Sequence, residues 1–272
     1  MDCVGLIQMT SGPSPELNFE YLAQEVAKCK ELGAKWVVCP ENALVFGSKA
    51  DYHQCAEPFN DGPLQKKISE LAKLHRIWIV IGSMPISTTN GVTTTTLVID
   101  DFGCLVAHYD KLHMFDVDVD VADAHKCYRE SDIFTPGNQV VTAETPFGRL
   151  GLSICYDVRF PHLYSELRKQ GAQIIVVPAA FTAVTGQAHW EVLLRCRAVE
   201  TQSWIVAVGQ GGKHPCQRET WGHSMVVDPW GRVVAQLDQD PKSMVVEIDT
   251  SSCESIRQNM PIAQHSRFTN QF

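Results

Sequence analysis

Gly171-Ala-Gln-Ile-Ile-Val-Val-Pro178 has a counterpart earlier in the chain, Gly33-Ala-Lys-Trp-Val-Val-Cys-Pro40, with the same spacing from glycine to proline. Each is a short apolar run of strand length, opened by a glycine that ends a helical pattern and stopped by a proline. Two further matches keep the same order. Val4-Gly-Leu-Ile-Gln-Met9 answers to Leu150-Gly-Leu-Ser-Ile-Cys155, and Val98-Ile-Asp-Asp-Phe-Gly103 answers to Val226-Val-Asp-Pro-Trp-Gly231. Three ordered matches imply two pseudo-equivalent halves of helix and sheet. Two mixed sheets that need cover on both faces pack against each other with helices outside. The expected fold is therefore α/β, a four-layer α-β-β-α sandwich forming a single domain over residues 1–272.

Around these anchors, Phe19, Leu22, Ala23, Val26 and Cys29 recur at helical spacing and predict a helix over 16–32, between strands at 4–9 and 35–39. Asp61-Gly-Pro63 opens a second helix with Leu64, Ile68, Leu71 and Ala72 on one face, running into a buried strand at 77–81. Runs at 92–99 and 104–109 flank Asp100-Asp-Phe-Gly103 and read as a hairpin. In the second half Leu150, Leu152 and Ile154 alternate as a strand. Pro161 then suits the first turn of a helix ending at Gly171, and a further helix is expected over 189–202.

The chain has 272 residues, of which 44% are hydrophobic and 20% charged, enough to bury a sizeable core. A net charge of -8 without any Lys/Arg cluster argues against nucleic acid as a partner. No apolar stretch is long enough to span a bilayer, and Met1 leads straight into a strand without a basic or apolar leader, so a cytoplasmic protein is expected. Ten scattered cysteines with no C-x-x-C pair fit a reducing compartment and offer no zinc ribbon. His214, Cys216 and His223 form the one metal-like cluster; ordinary polar loop side chains account for them better, and no metal is expected.

Cys155 stands where a strand stops and a helix has not begun, near backbone N–H groups that favour thiolate and can hold an oxyanion. Taken alone, any one of ten cysteines is better read as an inert core thiol. The repeat raises this one above the rest. Cys155 ends a strand whose counterpart ends in Met9; Glu41 follows a strand where the other half has Ala179; Lys111 lies eight residues past Gly103, and the matching place after Gly231 is Gln239. Three reactive residues at strand ends, none with an equivalent across the repeat, are what one catalytic site in a two-half frame leaves. A thiol attacking an amide carbonyl needs a base, an oxyanion site and an acid for the leaving amine. Glu41 suits the first and third tasks, and Lys111 with the backbone N–H of Tyr156 suits the second.

In combination, Pro40-Glu41-Asn42, Tyr109-Asp-Lys111-Leu-His-Met-Phe-Asp116 and Ser153-Ile-Cys155-Tyr-Asp-Val-Arg-Phe-Pro161 resemble the nitrilase superfamily of carbon–nitrogen hydrolases over almost the full length. The resemblance implies Glu41 as general base, Lys111 as transition-state stabiliser, Cys155 as nucleophile and Glu130 as a second glutamate that supports the lysine. It also implies the α-β-β-α sandwich and homodimers or larger assemblies; no cofactor is expected. Thr185-Gly-Gln-Ala-His-Trp-Glu-Val-Leu-Leu-Arg-Cys-Arg-Ala198 and Gly222-His-Ser-Met-Val-Val-Asp-Pro-Trp-Gly231 look like the Nit-type amidases, which include deaminated glutathione amidases and omega-amidases. Gly212-Lys-His-Pro-Cys-Gln-Arg218 looks more like the former, whereas 117–127 match neither group well.

The expected activity is hydrolysis of the amide of a small α-keto acid, deaminated glutathione first. Omega-amidase action on α-ketoglutaramate, N-carbamoyl cleavage and nitrile hydrolysis are the alternatives. A thiol hydrolase using a Cys155–histidine pair and a non-catalytic binding protein on the same frame are the competing classes. The small-molecule substrate carries carboxylate and keto oxygens, so a basic residue is expected in the pocket. Arg159, Arg195, Arg197 and Arg218 are the candidates, with Arg159 and Arg197 read rather as buried ion-pair partners.

Overall fold

Alternation of side chains along the strands assigns each face of the first sheet. Val4, Leu6, Trp36, Val38, Val80 and Val98 belong to one buried cluster, and the intervening Ile7, Val37, Ile79, Ile81, Leu97 and Ile99 belong to another. The computed structural model describes residues 2–121 and 124–267. In it the first cluster continues into Leu150, Leu152, Ile174, Val176 and Val206 of a second sheet, and Trp36 stacks on Phe147 across the junction at 4.4 Å. The second cluster is closed by Leu22 and Val26 of the Pro15–Glu31 helix and by Ile68 and Ala72 of the Pro63–His75 helix. Beyond the second sheet lie the helices Pro161–Lys169 and Ala183–Thr201, which contribute Leu163, Leu167, Trp190 and Leu194. This is the expected α-β-β-α sandwich.

The two halves match in topology. Asp2–Gln8, Trp36–Val38 and Trp78–Thr88 are parallel neighbours followed by antiparallel Gly91–Ile99 and Leu105–Asp110. Gly148–Leu152, Ile174–Ala179 and Trp204–Gly209 are parallel neighbours followed by antiparallel Met225–Val227 and Val233–Gln236. Val4 pairs Trp36 just as Leu150 pairs Ile174, which is the register the sequence repeat requires. The matched turns agree bond for bond: Phe102 and Cys104 donate to the Asp100 carboxylate, and Trp230 and Arg232 to that of Asp228. Gly103 and Gly231 supply the left-handed φ, +82° and +84°. One feature lay outside the matched windows. The strand that follows each half closes the sheet of the other, Thr142–Thr145 on Gly148–Leu152 and Lys242–Ile248 on Asp2–Gln8, so the two sheets are interlocked through the chain as well as through the core.

Three elements depart from the sequence reading. The strand expected over 77–81 runs on to Thr88, because the threonine-rich Gly91–Ile99 strand pairs with it again from Met84 to Thr88 beyond an irregularity between Ile81 and Met84. The helix expected at 189 begins at Ala183 behind a Thr182 N-cap; Gly186 and its β-branched neighbours mask the start, and that glycine is required because a Cβ there would stand 2.2 Å from Cβ of Trp221. Between the Cys155 strand and the Pro161 helix lies a separate 3-10 turn, Cys155–Arg159. No helix among the described residues is long and apolar enough to cross a membrane.

Candidate active site

Each of the four singled-out side chains sits at the end of a strand or turn. Glu41 follows Trp36–Val38 in a tight bend, where Asn42 takes φ +55° and donates its N–H to the Ser83 hydroxyl at 2.8 Å. Lys111 directly follows Leu105–Asp110 and donates its N–H to the Thr94 carbonyl. Glu130 opens a 3-10 turn after the strand Ala124–Arg129. Cys155 has φ +48°, a conformation sparsely used by residues with a side chain, which turns the thiol out of the strand direction. As the second residue of its turn, Tyr156 precedes the first turn bond, from Asp157 N–H to the Ile154 carbonyl. Cys155 therefore lies at the head of a 3-10 turn, and the α-helix begins at Pro161 as expected.

These residues converge in one pocket. Lys111 Nζ donates to Glu41 Oε1 at 2.7 Å and to both Glu130 oxygens at 2.8 Å, and Phe115 N–H donates to Glu130 Oε2 at 2.6 Å. Lys111 is 1% exposed and Glu41 3%. Burial by itself would discharge the lysine, but Glu130 first and then Glu41 override it and hold its pKa well above the usual range. Burial pushes Glu130 up, only partly offset by Lys111. Burial also raises Cys155 well above an ordinary thiol, and Glu41 adds to this while Lys111 opposes it. The resting site thus holds a neutral thiol beside a carboxylate and a fixed ammonium.

Asp157, which the sequence reading passed over, ties the lysine segment to the cysteine segment. Fully buried, it accepts from Tyr109 hydroxyl at 2.7 Å and His113 N–H at 3.1 Å, on either side of Lys111, and from Ile154 N–H at 2.8 Å, next to Cys155; His113 Nδ1 lies 2.7 Å from its Oδ1. Asparagine there would turn one acceptor into a donor facing donors. Asp157→Asn is expected to cost about 2 kcal/mol, a drop of roughly 4–8 °C in Tm, and to lower kcat/KM by about tenfold or more through misplacement of Lys111 and Cys155. A variant with wild-type Tm and kinetics would refute this role.

The arginine candidates separate clearly. Arg197 is the buried ion-pair partner expected, bonded to Glu200 at 2.7 Å and to the Val158 carbonyl. Arg195 pairs with Glu191 on the surface. Arg159 is not a buried ion-pair partner: it is half-buried, lies over the rings of Phe181 and Tyr156 and contacts His189. Arg218 lines the pocket, as does Arg129, which the sequence reading did not single out. Tyr52, Phe134 and Thr182 also line it, brought from distant segments by no local pattern. His214 does not meet its suspected partners; its ring nitrogens engage the Ser11 carbonyl and the Thr220 hydroxyl. Of the stretch 117–127, residues 117–121 and 124–127 belong to a two-stranded ribbon beside Glu130, and 122–123 lie outside the described residues.

A buried thiol, a carboxylate and a fixed ammonium at the strand ends of a two-sheet sandwich are the groups that a thiol-dependent hydrolase requires. Residues 3–258 match the family model described as carbon-nitrogen hydrolase. The chain belongs to the carbon–nitrogen hydrolase family. It is 47% identical to a deaminated glutathione amidase of Yersinia enterocolitica, covering 98% of this chain and 93% of that one. The Caenorhabditis elegans NitFhit protein superposes with a TM-score of 0.90 at 39% identity, covering 98% of this chain and 65% of that one. Saccharomyces cerevisiae Nit3, a member of branch 10 of the nitrilase superfamily, superposes at 0.87 with 28% identity, covering 98% and 97%.

Proposed function

We propose that this chain is a thiol amidase that hydrolyses the amide of a small α-keto acid, deaminated glutathione foremost, through a thioester on Cys155. The observation that carries the mechanism is the unequal use of the two glutamates. Glu130 spends both oxygens on Lys111 and one of them also on Phe115 N–H, so it is a fixed support. Glu41 holds Lys111 through Oε1, leaving Oε2 for proton transfer. Glu41 takes the thiol proton as sulfur attacks the carbonyl, and the oxyanion is held by Lys111 Nζ and Tyr156 N–H. Glu41 then protonates the leaving amine and activates the water that releases the acyl group. Moving a proton from sulfur to Glu41 leaves the summed charge of the cluster unchanged, so the buried site takes up no new charge in that step.

The substrate assignment is supported by the 47% identity to the Yersinia enterocolitica amidase over nearly both chains. The shared core of the two sheets supports one carbon–nitrogen hydrolase domain across residues 1–272. Exposed Val192 and Val199, seven residues apart on the outer helix, and exposed Trp230 support a homodimer or larger assembly. All ten cysteines, each among the described residues, are free thiols, which supports a reducing, cytoplasmic setting.

The test is turnover of deaminated glutathione and α-ketoglutaramate side by side. Preference for deaminated glutathione is expected; preference for the smaller amide would move the protein to omega-amidase activity, and turnover of neither would refute the substrate class. Glu41→Gln is expected to lower kcat by roughly a hundredfold or more and to let an acyl adduct on Cys155 accumulate in the mass spectrum. Normal activity in that variant would favour a histidine as base.

A further inference from the structure

Two guanidinium groups line the pocket, and they differ in what they already hold. Arg129 donates to the Asp118 carboxylate at 2.9 and 3.1 Å and to the Val117 and Tyr128 carbonyls. Arg218 has no carboxylate partner among the described residues. Its guanidinium lies 4.7 Å from the ring centre of Phe46 and 5.9 Å from that of Tyr128. The mount beneath it is rigid. Buried Phe46 also packs on the His214 ring at 4.1 Å, His214 is anchored at both nitrogens, and its backbone N–H donates to the Arg218 carbonyl at 2.8 Å. Burial holds His214 down at about 4, so the imidazole stays neutral beside the guanidinium.

Among the described residues lining the pocket, no further cation is free for a substrate carboxylate. Lys111 is already enclosed by two carboxylates, and Phe115, Phe134 and Phe181 carry no charge. A carboxylate-bearing substrate entering a pocket with one buried and one half-buried glutamate needs a cation whose charge is not already spent. A ring-stacked guanidinium keeps its planar fork oriented, so little side-chain entropy is lost on bidentate binding.

We propose that Arg218 binds the carboxylate of the substrate's acyl half and so sets the preference for α-keto acid amides; this rests on the amidase reading. The acyl half is the part assigned because it stays on Cys155 until water arrives, and must be held throughout. The leaving half departs after the first step.

The experiment compares α-ketoglutaramate with 5-methyl-4-oxohexanamide, which has an isopropyl group in place of the carboxylate. In Arg218→Gln the ratio of their kcat/KM values is expected to fall roughly thirty- to hundredfold, with Arg218→Lys between, since it keeps the charge and loses the fork. An unchanged ratio would overturn the proposal. So would a loss seen with deaminated glutathione but not with α-ketoglutaramate, because the carboxylate read would then lie in the leaving half. If the wild type turns over no amide, the amidase reading fails, and Arg218 is tested by the product acid. There 2-oxoglutarate is expected to protect Cys155 from iodoacetamide with an affinity at least about tenfold weaker in Arg218→Gln; equal protection, or none in either protein, would overturn the proposal.

Discussion

Cys155→Ala is expected to reduce amide turnover by a factor of about ten thousand or more while leaving the fold intact. The loss is large because, on the proposed mechanism, the covalent intermediate forms on this sulfur, while Lys111 is held as a cation between two carboxylates and Glu41 serves as base. Stability should change little. Alanine and cysteine face the same penalty at φ +48°, and Glu41, though it loses the thiol as a hydrogen-bond donor, keeps its ion pair with Lys111. The sulfur also borders the pocket, so its loss enlarges an existing space rather than opening a closed cavity. Steady-state kinetics with α-ketoglutaramate, circular dichroism and the intact mass after incubation with substrate check this together. Retention of more than about one per cent of the activity would mean that Glu41 activates water directly, and that the thiol is not the nucleophile.

Much of this site could be read from the chain because the fold is a duplication. The repeat sets a background of residues that serve structure in both halves, and Glu41, Lys111 and Cys155 stand out against Ala179, Gln239 and Met9. The register that makes the comparison valid is carried by short apolar runs closed by glycine and proline, and the ladders Val4–Trp36 and Leu150–Ile174 reproduce it. Other features left no local signature. The interlocking strands at 142–145 and 242–248 fall where the halves diverge in sequence. Asp157 is ordinary in composition, and its importance lies in donors 44 to 48 residues away, Tyr109 and His113. The helix start at Pro161 is legible from its proline, but the 3-10 turn Cys155–Arg159 before it is too short to leave a periodic pattern. Arg159 looked like a buried ion-pair partner on residue type alone, and aromatic neighbours from two segments supply its contacts instead.

Lys111→Met should damage both chemistry and stability, and the stability loss should depend on pH with a sign opposite to ordinary acid denaturation. Methionine fills much of the same volume, so packing changes little. What is lost is the only positive charge bonded to Glu41 and Glu130 among the described residues. Leaving buried carboxylates without their cation costs about 3–5 kcal/mol when they are ionised. Burial already pushes Glu130 above the usual carboxylate range with the lysine present, and without it the pKa rises further. A carboxyl whose folded pKa exceeds its unfolded value binds more protons folded than unfolded between the two, so stability is lost as pH rises through that window. The variant should therefore be closest to wild type at about pH 4, near the unfolded glutamate value, and furthest from it at neutral pH. Turnover should fall by roughly a hundred- to a thousandfold or more even where the variant is folded, because the oxyanion loses its main cationic partner. Urea denaturation of both proteins at pH 4 and pH 7.5 reads the first effect. An equal deficit at the two pH values would mean that the glutamates are not held as ions by Lys111, and the assignment of the lysine as the electrostatic centre of the site would fall with it.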